Sequence, residues 1–498
     1  MGDSSGGKQP FFGGAAESRL DGGRGRVHLF DMRIQLLYFL FAVVPGVLCA
    51  LDLPTAEVAL VGRFAAGPAE APTRVDAAGF GEVFGSEAPA DWPAEAQARQ
   101  FFRNGGEFLT VVRIDPHRTL AEALAGAFPP AAPRGLGWME LLPDIGLLVV
   151  PELTKQPEAV RDAALERLRD LAAHRHFTLV LEPPEAVDSV AAALVWRETL
   201  PEGMDFAAVY YPRLRVDAAA WSGGSSGVLT TVGASGSVAA RIAKTDAAHG
   251  IWRSPAGLNA TLAAEALAHP VTDVQAGDLN TAHINTIRDF TGSGQGIVIF
   301  GVRTLDRTDP EKTFLAAART QRWIAHRLRR SLAFAAFESN DEALWSTMRV
   351  HARDFLFGLY SQGAFAGTVV DESYFVRCDA STTPVEDILQ HRVNLVFGVA
   401  LIRPAEFFVT TLTLPTFDPA REPSAVPLRL TPQAGDAVTL FHFAAAGFHH
   451  TLETSETLDA PSWSAPDGGS AVMGDDAWKR WDLKAVPGPR FFRVRMDR

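Results

Sequence analysis

The chain has 498 residues, which is longer than a domain with a single hydrophobic core usually is, so about two to four domains are expected. Its formal net charge of −12 argues against a general nucleic-acid binder, because such proteins are usually basic. The sequence contains two cysteines, Cys49 and Cys378, which excludes a disulfide framework and a cysteine-based zinc cluster.

The first 55 residues divide into two segments. Residues 1–33 are rich in Gly and Ser, and we predict a disordered extension. Residues 34–55 form a candidate arm, in which Ile34–Leu51 carry no charge over 18 residues. Arginines before this run and small residues near its end resemble a signal peptide. An intact arm that contacts a partner is the favoured interpretation, and Pro45-Gly46 argues against a membrane-spanning helix.

Residues 56–145 and 146–283 are predicted as two α/β parts. The first contains strands at 56–67 and Phe108–Ile114 with a helix at Pro93–Arg103 between them. The second contains the apolar strands GLLVV, FTLVL and FAAVYY, with a helix at Glu158–His174. Uniformly apolar strands joined by helices indicate a parallel sheet that is buried on both sides. The Ala-, Ser- and Gly-rich residues 217–237 are predicted as a flexible loop.

Residues 284–414 are predicted as a mixed part with two long helices, Glu311–Phe334 and Asn340–Gln362, and strands at Tyr374–Asp379 and Phe407–Leu414. On the first helix, the apolar residues Ile324, Ala325, Leu328 and Leu332 share one face. The other face carries Arg319, Arg322, Arg327, Arg329 and Arg330. This basic face is either a contact surface for an acidic partner or an ordinary solvated face.

The composition changes after Leu414. Residues 415–427 contain four prolines and predict a stiff linker. Residues 428–498 show short alternating strands with polar turns, which is typical of a small all-β module.

Fragments that imitate catalytic or binding sites are better explained as turns. Gly292–Gly296 imitates a dinucleotide loop but leads into a strand, whereas a phosphate loop opens a helix. Ser225 and Ser226 lack the sequence setting of a hydrolase nucleophile. Glu182 and Glu185, on either side of two prolines, are predicted to form a solvated turn. We therefore expect no catalytic residue, no cofactor and no metal ligand set.

Several strings resemble contractile tail sheath proteins, the family of myophage tails and of phage-tail-like injection machines. INTIRDFTGSGQGIVIFGVRTL and GVALIRPAEFFV, within residues 284–408, are the most specific. VGRFAAGP, FFRNGG, YYP and GIWRSPAG are further similarities, so the resemblance covers roughly residues 45–414. It implies an α/β and α+β multidomain chain with a central parallel-sheet subtilisin-like domain over 146–283. A C-terminal sheath domain of mixed sheet and helices over 284–414 and the small β module would follow.

The resemblance also implies a mechanical function. Sheath subunits polymerise helically around an inner tube and contract to drive it through a target envelope. The implied partners are further copies of the chain, an inner tube protein, and baseplate and cap proteins, with no nucleic acid and only indirect membrane contact. Assembly would occur in the cytoplasm, and the particle would be a virion tail or an injection machine, with export through 34–51 left open.

The resemblance assigns roles to two groups of residues. Terminal segments of sheath subunits add strands to the sheets of neighbouring subunits, which makes main-chain hydrogen bonds the source of affinity. The candidate donors here are Val44, Val47, Phe407, Phe408, Val409, Thr410, Thr411, Leu412, Thr413 and Leu414. The alternative for 407–414 is an ordinary edge strand of its own domain. The five arginines of the Glu311–Phe334 helix would face the tube.

Two other classes of function stay open at this point. A subtilisin-like fold also suits a degenerate or active serine hydrolase, secreted through 34–51, with Ser225 or Ser226 as nucleophile. A surface adhesin that ends in a β module is the third alternative.

Overall fold

The computed structural model describes residues 57–417, apart from 86–91, 116, 126–134, 141, 143, 174, 223 and 259. Beyond these it describes residues 429–432, 438–444, 449–455, 472–473, 477–483 and 491–497. The arm residues Val44 and Val47, the extension 1–33 and most of the predicted 415–427 linker lie outside the described residues.

The strands are numbered in chain order. They are β1 (Glu57–Gly62), β2 (Thr73–Val75), β3 (Leu109–Arg113), β4 (Ile145–Val149), β5 (Thr178–Leu181), β6 (Ala207–Tyr211), β7 (Leu214–Asp217), β8 (Leu229–Val232), β9 (Thr261–Leu262), β10 (Ala266–Leu267), β11 (Ile284–Phe290), β12 (Gly296–Ile299), β13 (Tyr374–Arg377), β14 (Arg392–Val399), β15 (Phe408–Pro415), β16 (Arg429–Pro432), β17 (Val438–Ala444), β18 (His449–Ser455), β19 (Val472–Met473), β20 (Ala477–Leu483) and β21 (Phe491–Asp497).

The helices are numbered in the same way. They are α1 (Ala77–Phe84), α2 (Pro93–Arg103), α3 (Leu120–Ala125), α4 (Glu158–Ala172), α5 (Val190–Arg197), α6 (Ser235–His249), α7 (Asp273–Thr281), α8 (Leu315–Ser331), α9 (Glu342–Ser361), α10 (Val370–Ser373) and α11 (Val385–Leu389). Short 3-10 turns are at Gly135–Glu140, Pro151–Lys155, Ala218–Ser222, Thr291–Ser293, Pro310–Lys312 and Ala333–Phe337.

A nine-stranded mixed sheet organises the larger part of the chain, in the order β2-β3-β1-β4-β5-β6-β11-β12-β9. The six strands from β3 to β11 are parallel, and β2, β12 and β9 join antiparallel. Leu148 points into a core with α4 and α5, while its neighbour Leu147 points into a second core with α2 and α6. The predicted parallel pairing and two-sided burial agree with the structure for β4, β5 and β6, but the sheet as a whole is mixed.

Helix α2 shows how local sequence sets the ends of an element. Pro93 is the first helical residue, where its missing N–H costs nothing. At the other end, Asn104 caps the helix and Gly105 takes a φ of 86°, a left-handed conformation that glycine adopts without strain. The predicted bounds of this helix therefore agree with the structure.

The sheet crosses two of the predicted domain boundaries. Strand β1 pairs with β4 across the boundary at 145/146, and β6 pairs with β11 across the boundary at 283/284. Residues 57–145, 146–283 and the start of 284–414 thus share one sheet. Apolar periodicity identifies strands but carries no information about which strands pair. It could therefore not show that these three predicted domains share a sheet.

Residues 217–237 correct a second expectation, because they are ordered and not a flexible loop. Strand β7 pairs with β8, and α6 begins at Ser235. The Asp217 carboxylate holds the intervening turn, accepting hydrogen bonds from the Ser226 N–H at 2.7 Å and the Gly227 N–H at 3.0 Å. Small residues here satisfy a tight turn and do not indicate mobility.

Residues 315–417 form a third core of helices α8 and α9 on a three-stranded antiparallel sheet, β13-β14-β15. Helix α9 begins at Glu342, two residues after the predicted start, because Asp341 and not Asn340 is its N-cap and accepts hydrogen bonds from the N–H groups of Ala343 and Leu344. In the C-terminal region, the described strands form two three-stranded antiparallel sheets, β16-β17-β20 and β19-β18-β21. The all-β character predicted for 428–498 agrees with these strands.

Candidate assembly elements

Strand β15 contains nearly all of the predicted donor strand. It pairs along its full length with β14 of the same chain, from Val399 opposite Phe408 to Arg392 opposite Pro415. Phe408, Leu412 and Leu414 are buried, whereas Val409 is 54% exposed. Phe407 precedes the strand and packs edge-on against Phe375, with ring centroids 5.2 Å apart. The structure therefore shows an edge strand of its own domain, and donation to a neighbour stays a prediction.

The second edge of β15 lies on the outside of its sheet. In the order β13-β14-β15, no described strand pairs with the outer side of β15. An edge strand presents a row of backbone N–H and C=O groups that can pair with another chain. Helix α8 packs near the strand, and Gln321 donates a hydrogen bond to Thr410 Oγ1 at 2.9 Å.

Helix α8 carries the five predicted tube-facing arginines, and the structure separates them. Arg319 is buried and contacts both carboxylate oxygens of Asp246 on α6. Arg322 donates to Thr178 Oγ1 at 3.1 Å, and Arg330 donates to Asp144 Oδ1 at 2.6 Å. These arginines therefore attach α8 to the nine-stranded sheet and its helices.

The remaining two arginines, Arg327 and Arg329, are exposed. The predicted basic face is thus corrected: Arg319 and Arg322 lie at an internal junction, and only the outer part of the row is available to a partner. The apolar face agrees with its prediction, since Ile324, Leu328 and Leu332 are buried in the third core.

Two histidines lie at the same junction. His176, just before β5, and His326, on α8, have ring centroids 4.3 Å apart and rings tilted by 32°. Burial, reinforced by His326 and the nearby arginines, lowers the pKa of His176 to about 2. Burial and the charge of Arg330 lower the pKa of His326 to about 4. Both imidazoles are therefore neutral at neutral pH.

A buried polar network at the N-terminus of α6 was missed from the sequence. Glu182 accepts a hydrogen bond from the Ala234 N–H at 2.7 Å and another from the Gln97 side-chain amide. Gln97 Oε1 in turn accepts from the Ser235 hydroxyl and, at 3.0 Å, from the Gly236 N–H. Carboxylate and amide oxygens thus satisfy the first N–H groups of a 15-residue helix.

This network overturns the expected solvated turn at Glu182. Glu182 is 3% exposed, whereas Glu185 lies near the surface and pairs with Lys155 at 3.1 Å. The sequence did contain a signal for this burial. Glu182 directly follows the strand FTLVL, which is apolar apart from Thr178 and is predicted to be buried, so the chain is still inside the protein when it reaches Glu182.

The residues of the hydrolase alternative have structural partners. The hydroxyls of Ser225 and Ser226 donate to the Asp217 carboxylate at 3.0 and 2.7 Å. These hydrogen bonds, that of Ser226 above all, lower the pKa of Asp217. A nucleophilic serine needs a base that takes its proton, and a carboxylate held ionised by donors is a weak base. Gly292–Gly296 is the turn of the antiparallel β11–β12 hairpin, as predicted.

No group of three or more His, Cys, Asp or Glu side chains among the described residues is arranged to hold a metal ion. None of the described helices combines the length and apolar character that crossing a bilayer requires.

Comparison with known proteins relies on solved structures, because no protein-family model and no curated protein matches the chain. The helical sheath of the anti-feeding prophage in its contracted state is 26% identical, with a TM-score of 0.56 over 74% of this chain and 98% of that chain. A chain of the anti-feeding prophage baseplate is also 26% identical, with a TM-score of 0.55 over 72% and 93%.

A third structure agrees in fold. The contracted sheath complex of an extracellular contractile injection system, PVC, is 24% identical, with a TM-score of 0.56 over 72% of this chain and 94% of that chain. The matched sheath chains are covered almost completely, and identity reaches about a quarter. The chain is therefore a structural sheath subunit of a contractile injection system.

Proposed function

We propose that copies of this chain polymerise into a helical sheath around an inner tube and shorten to drive that tube through a target envelope. The observation that carries the proposal is the match to 98% of a subunit from a contracted helical sheath. Subunits joined head to tail, with a rotation that does not close a ring, generate a helix. The match to a baseplate chain supports contact with baseplate proteins, and a cap protein would end the helix.

Contraction in this proposal uses stored conformational energy. An extended array that is kinetically trapped can shorten when new contacts between subunits form, without nucleotide hydrolysis. Assembly would take place in the cytoplasm, and the particle is a phage-like tail or injection machine. The small β module over 428–498 would lie on the outside, away from the tube, and the central sheet would keep a subtilisin-like arrangement without catalysis.

Electron microscopy tests the assembly. Full-length protein, expressed with its cognate tube protein, is expected to form striated hollow rods in negative stain. A matched variant that ends at residue 406 lacks β15 and is expected to form none. Full-length protein that stays monomeric with the tube protein present would contradict the proposed function.

The finer proposal is that 407–414 pairs with a neighbour's sheet in the assembled sheath, in the register that β15 has with β14. Its support is the outer edge of the sheet, with which no described strand pairs, and the alternation of buried and exposed side chains along the strand. The arm with Val44 and Val47 would supply a further strand. Arg327 and Arg329 are the residues of the basic row proposed to face the tube.

A cysteine pair distinguishes exchange from pairing within one subunit. Val396 and Thr411 face each other across β14 and β15, so cysteines at both positions can form a disulfide. Cys49→Ser removes one native thiol, and burial raises the pKa of Cys378 to about 12, which keeps that thiol unreactive. Oxidised rods are expected to give a ladder of covalent multimers on a non-reducing gel.

The control is the single Thr411→Cys variant in the same background, which is expected to stay monomeric on that gel. If rods form but the double variant yields only an internal disulfide, strand exchange is wrong while helical assembly stands.

A further inference from the structure

The two sides of helix α8 have different chemistry. Towards the small sheet it packs through Ile324, Leu328 and Leu332, which are fully buried apolar side chains. Towards the nine-stranded sheet its first residue, Leu315, packs into the second core, and beyond that residue the helix presents charged and polar side chains, with Arg319 on Asp246 and Arg322 on Thr178. The attachment of the small sheet to the large one therefore includes buried polar contacts as well as the apolar contact of Leu315.

His176 and His326 lie within this polar side. They are 7% and 6% exposed, and their rings are in contact. His176 Nδ1 and His326 Nε2 are buried and have no hydrogen-bond partner among the described residues. Among the described residues, therefore, no carboxylate accepts a hydrogen bond from either of these nitrogens, and a proton added there would have no hydrogen-bonded counter-charge.

The charged groups around the pair are mostly cations. Arg319, Arg322, Arg327 and Arg330 approach from α8, and Arg175 from the residue before His176. The acids that face the junction are Asp144, bound by Arg330, and Asp205, whose carboxylate is 3.8 Å from Arg322 Nη1. A protonated imidazole would add one more positive charge to a buried site where like charges already predominate.

We propose that the His176–His326 contact is an acid-sensitive joint, at which protonation of either imidazole releases α8 from the nine-stranded sheet. The contact stabilises the joined state only while both rings are neutral. Acid would therefore loosen the link between the two sheets of one subunit before the sheets themselves unfold.

The direction and the pH range follow from linkage. A released imidazole has its ordinary pKa near 6.5, whereas the joined rings have pKa values of about 2 and about 4. Protons therefore bind the released state preferentially below pH 6.5, and the joined state weakens as pH falls from 6.5 towards 4. Each histidine lowers the ratio of joined to released molecules about tenfold per pH unit, which is about 10³-fold for both at pH 5.

Hydrogen exchange on the full chain tests the joint. Between pH 7.5 and pH 5.0, after correction for the intrinsic pH dependence, amides of α8 are expected to lose at least tenfold in protection while β4–β6 keep theirs. The double variant H176N/H326Q is expected to keep α8 protected at pH 5.0. The control His249→Asn, at an exposed histidine at the end of α6, is expected to behave like the unmodified chain.

Two results would overturn the joint. The first is an unmodified chain whose α8 is equally protected at both pH values, which needs no variant. The second is a double variant whose α8 amides are protected at pH 7.5 but lose as much protection at pH 5.0 as those of the unmodified chain. If H176N/H326Q does not fold, the single variant His326→Gln replaces it. The logarithm of its loss of α8 protection between pH 7.5 and pH 5.0 is then expected to be half that of the unmodified chain.

Discussion

Asp246→Leu is expected to destabilise the subunit by about 3–5 kcal/mol, because it leaves the Arg319 guanidinium buried without its counter-charge. Asp246 and Arg319 are 0% and 1% exposed, so water cannot replace the lost carboxylate. Burial raises the pKa of Asp246, and the charge and hydrogen bonds of Arg319 oppose that rise. The ionised form of Asp246 is therefore stabilised by its contact with Arg319. The measurement is the midpoint of the first urea unfolding transition of the full chain.

The double variant D246L/R319M separates charge from packing. Replacing both members of a buried pair by apolar side chains of similar volume is often neutral, so most of the lost stability is expected to return. Arg329→Met, an equal change at an exposed position of α8, is expected to stay within about 0.5 kcal/mol. A single variant as stable as the unmodified chain would show that Asp246 does not hold α8.

Gly233→Ala is expected to cost about 2–5 kcal/mol, combining overpacking with loss of buried hydrogen bonds. A Cβ at this position would lie 2.0 Å from Glu182 Oε1 and 2.2 Å from Gln97 Nε2. Those two side chains hold the start of α6, so they cannot move away without leaving backbone N–H groups unsatisfied. Thermal unfolding of the full chain, with circular dichroism as the signal, measures the loss.

The control makes the same substitution where space is free. A Cβ at Gly292, in the β11–β12 turn, would meet nothing within 4 Å. Gly292→Ala is therefore expected to leave the midpoint temperature nearly unchanged. Equal midpoint temperatures for the two variants would mean that Glu182 and Gln97 can move aside at little cost. The hydrogen bonds of the network at α6 would then contribute little to stability.

Local elements could be predicted from the sequence, because their causes are local. The ends of α2 follow from Pro93 and the Asn104-Gly105 pair, and the buried strands β4, β5 and β6 follow from uninterrupted apolar runs. Pairing could not be predicted in this way. Strands β6 and β11 are separated by 72 residues in the sequence, and the residue pattern of neither strand identifies the strand with which it pairs.

The arginine row shows the same limit at the level of the site. Helical periodicity correctly separates the apolar face of α8 from the basic one, but it does not show what lies opposite. The partners of Arg319, Arg322 and Arg330 are 73, 144 and 186 residues away in sequence. A basic face that meets distant polar groups of its own chain has the same sequence pattern as one that meets another protein.

Strand 407–414 illustrates a different limit. Its alternation of apolar and polar residues predicts a strand with one buried face, and β15 agrees to within one residue. The identical pattern serves a strand in its own sheet and a strand lent to a neighbour, because the pleat and the ladder are the same. The choice between them depends on the other subunits, which a single sequence does not specify.

The unlike sides of α8 have a mechanical consequence. Apolar packing is non-directional, so it resists separation of the small sheet from the helix more than sliding along it, and the neutral hydrogen bond from Gln321 to Thr410 Oγ1 adds a weaker directional contact. The two-point contact between Arg319 and Asp246 is directional and resists displacement along the helix axis as well. Under a shearing load, we therefore expect slippage to start between α8 and the β13–β15 sheet, while the helix stays fixed to the larger body.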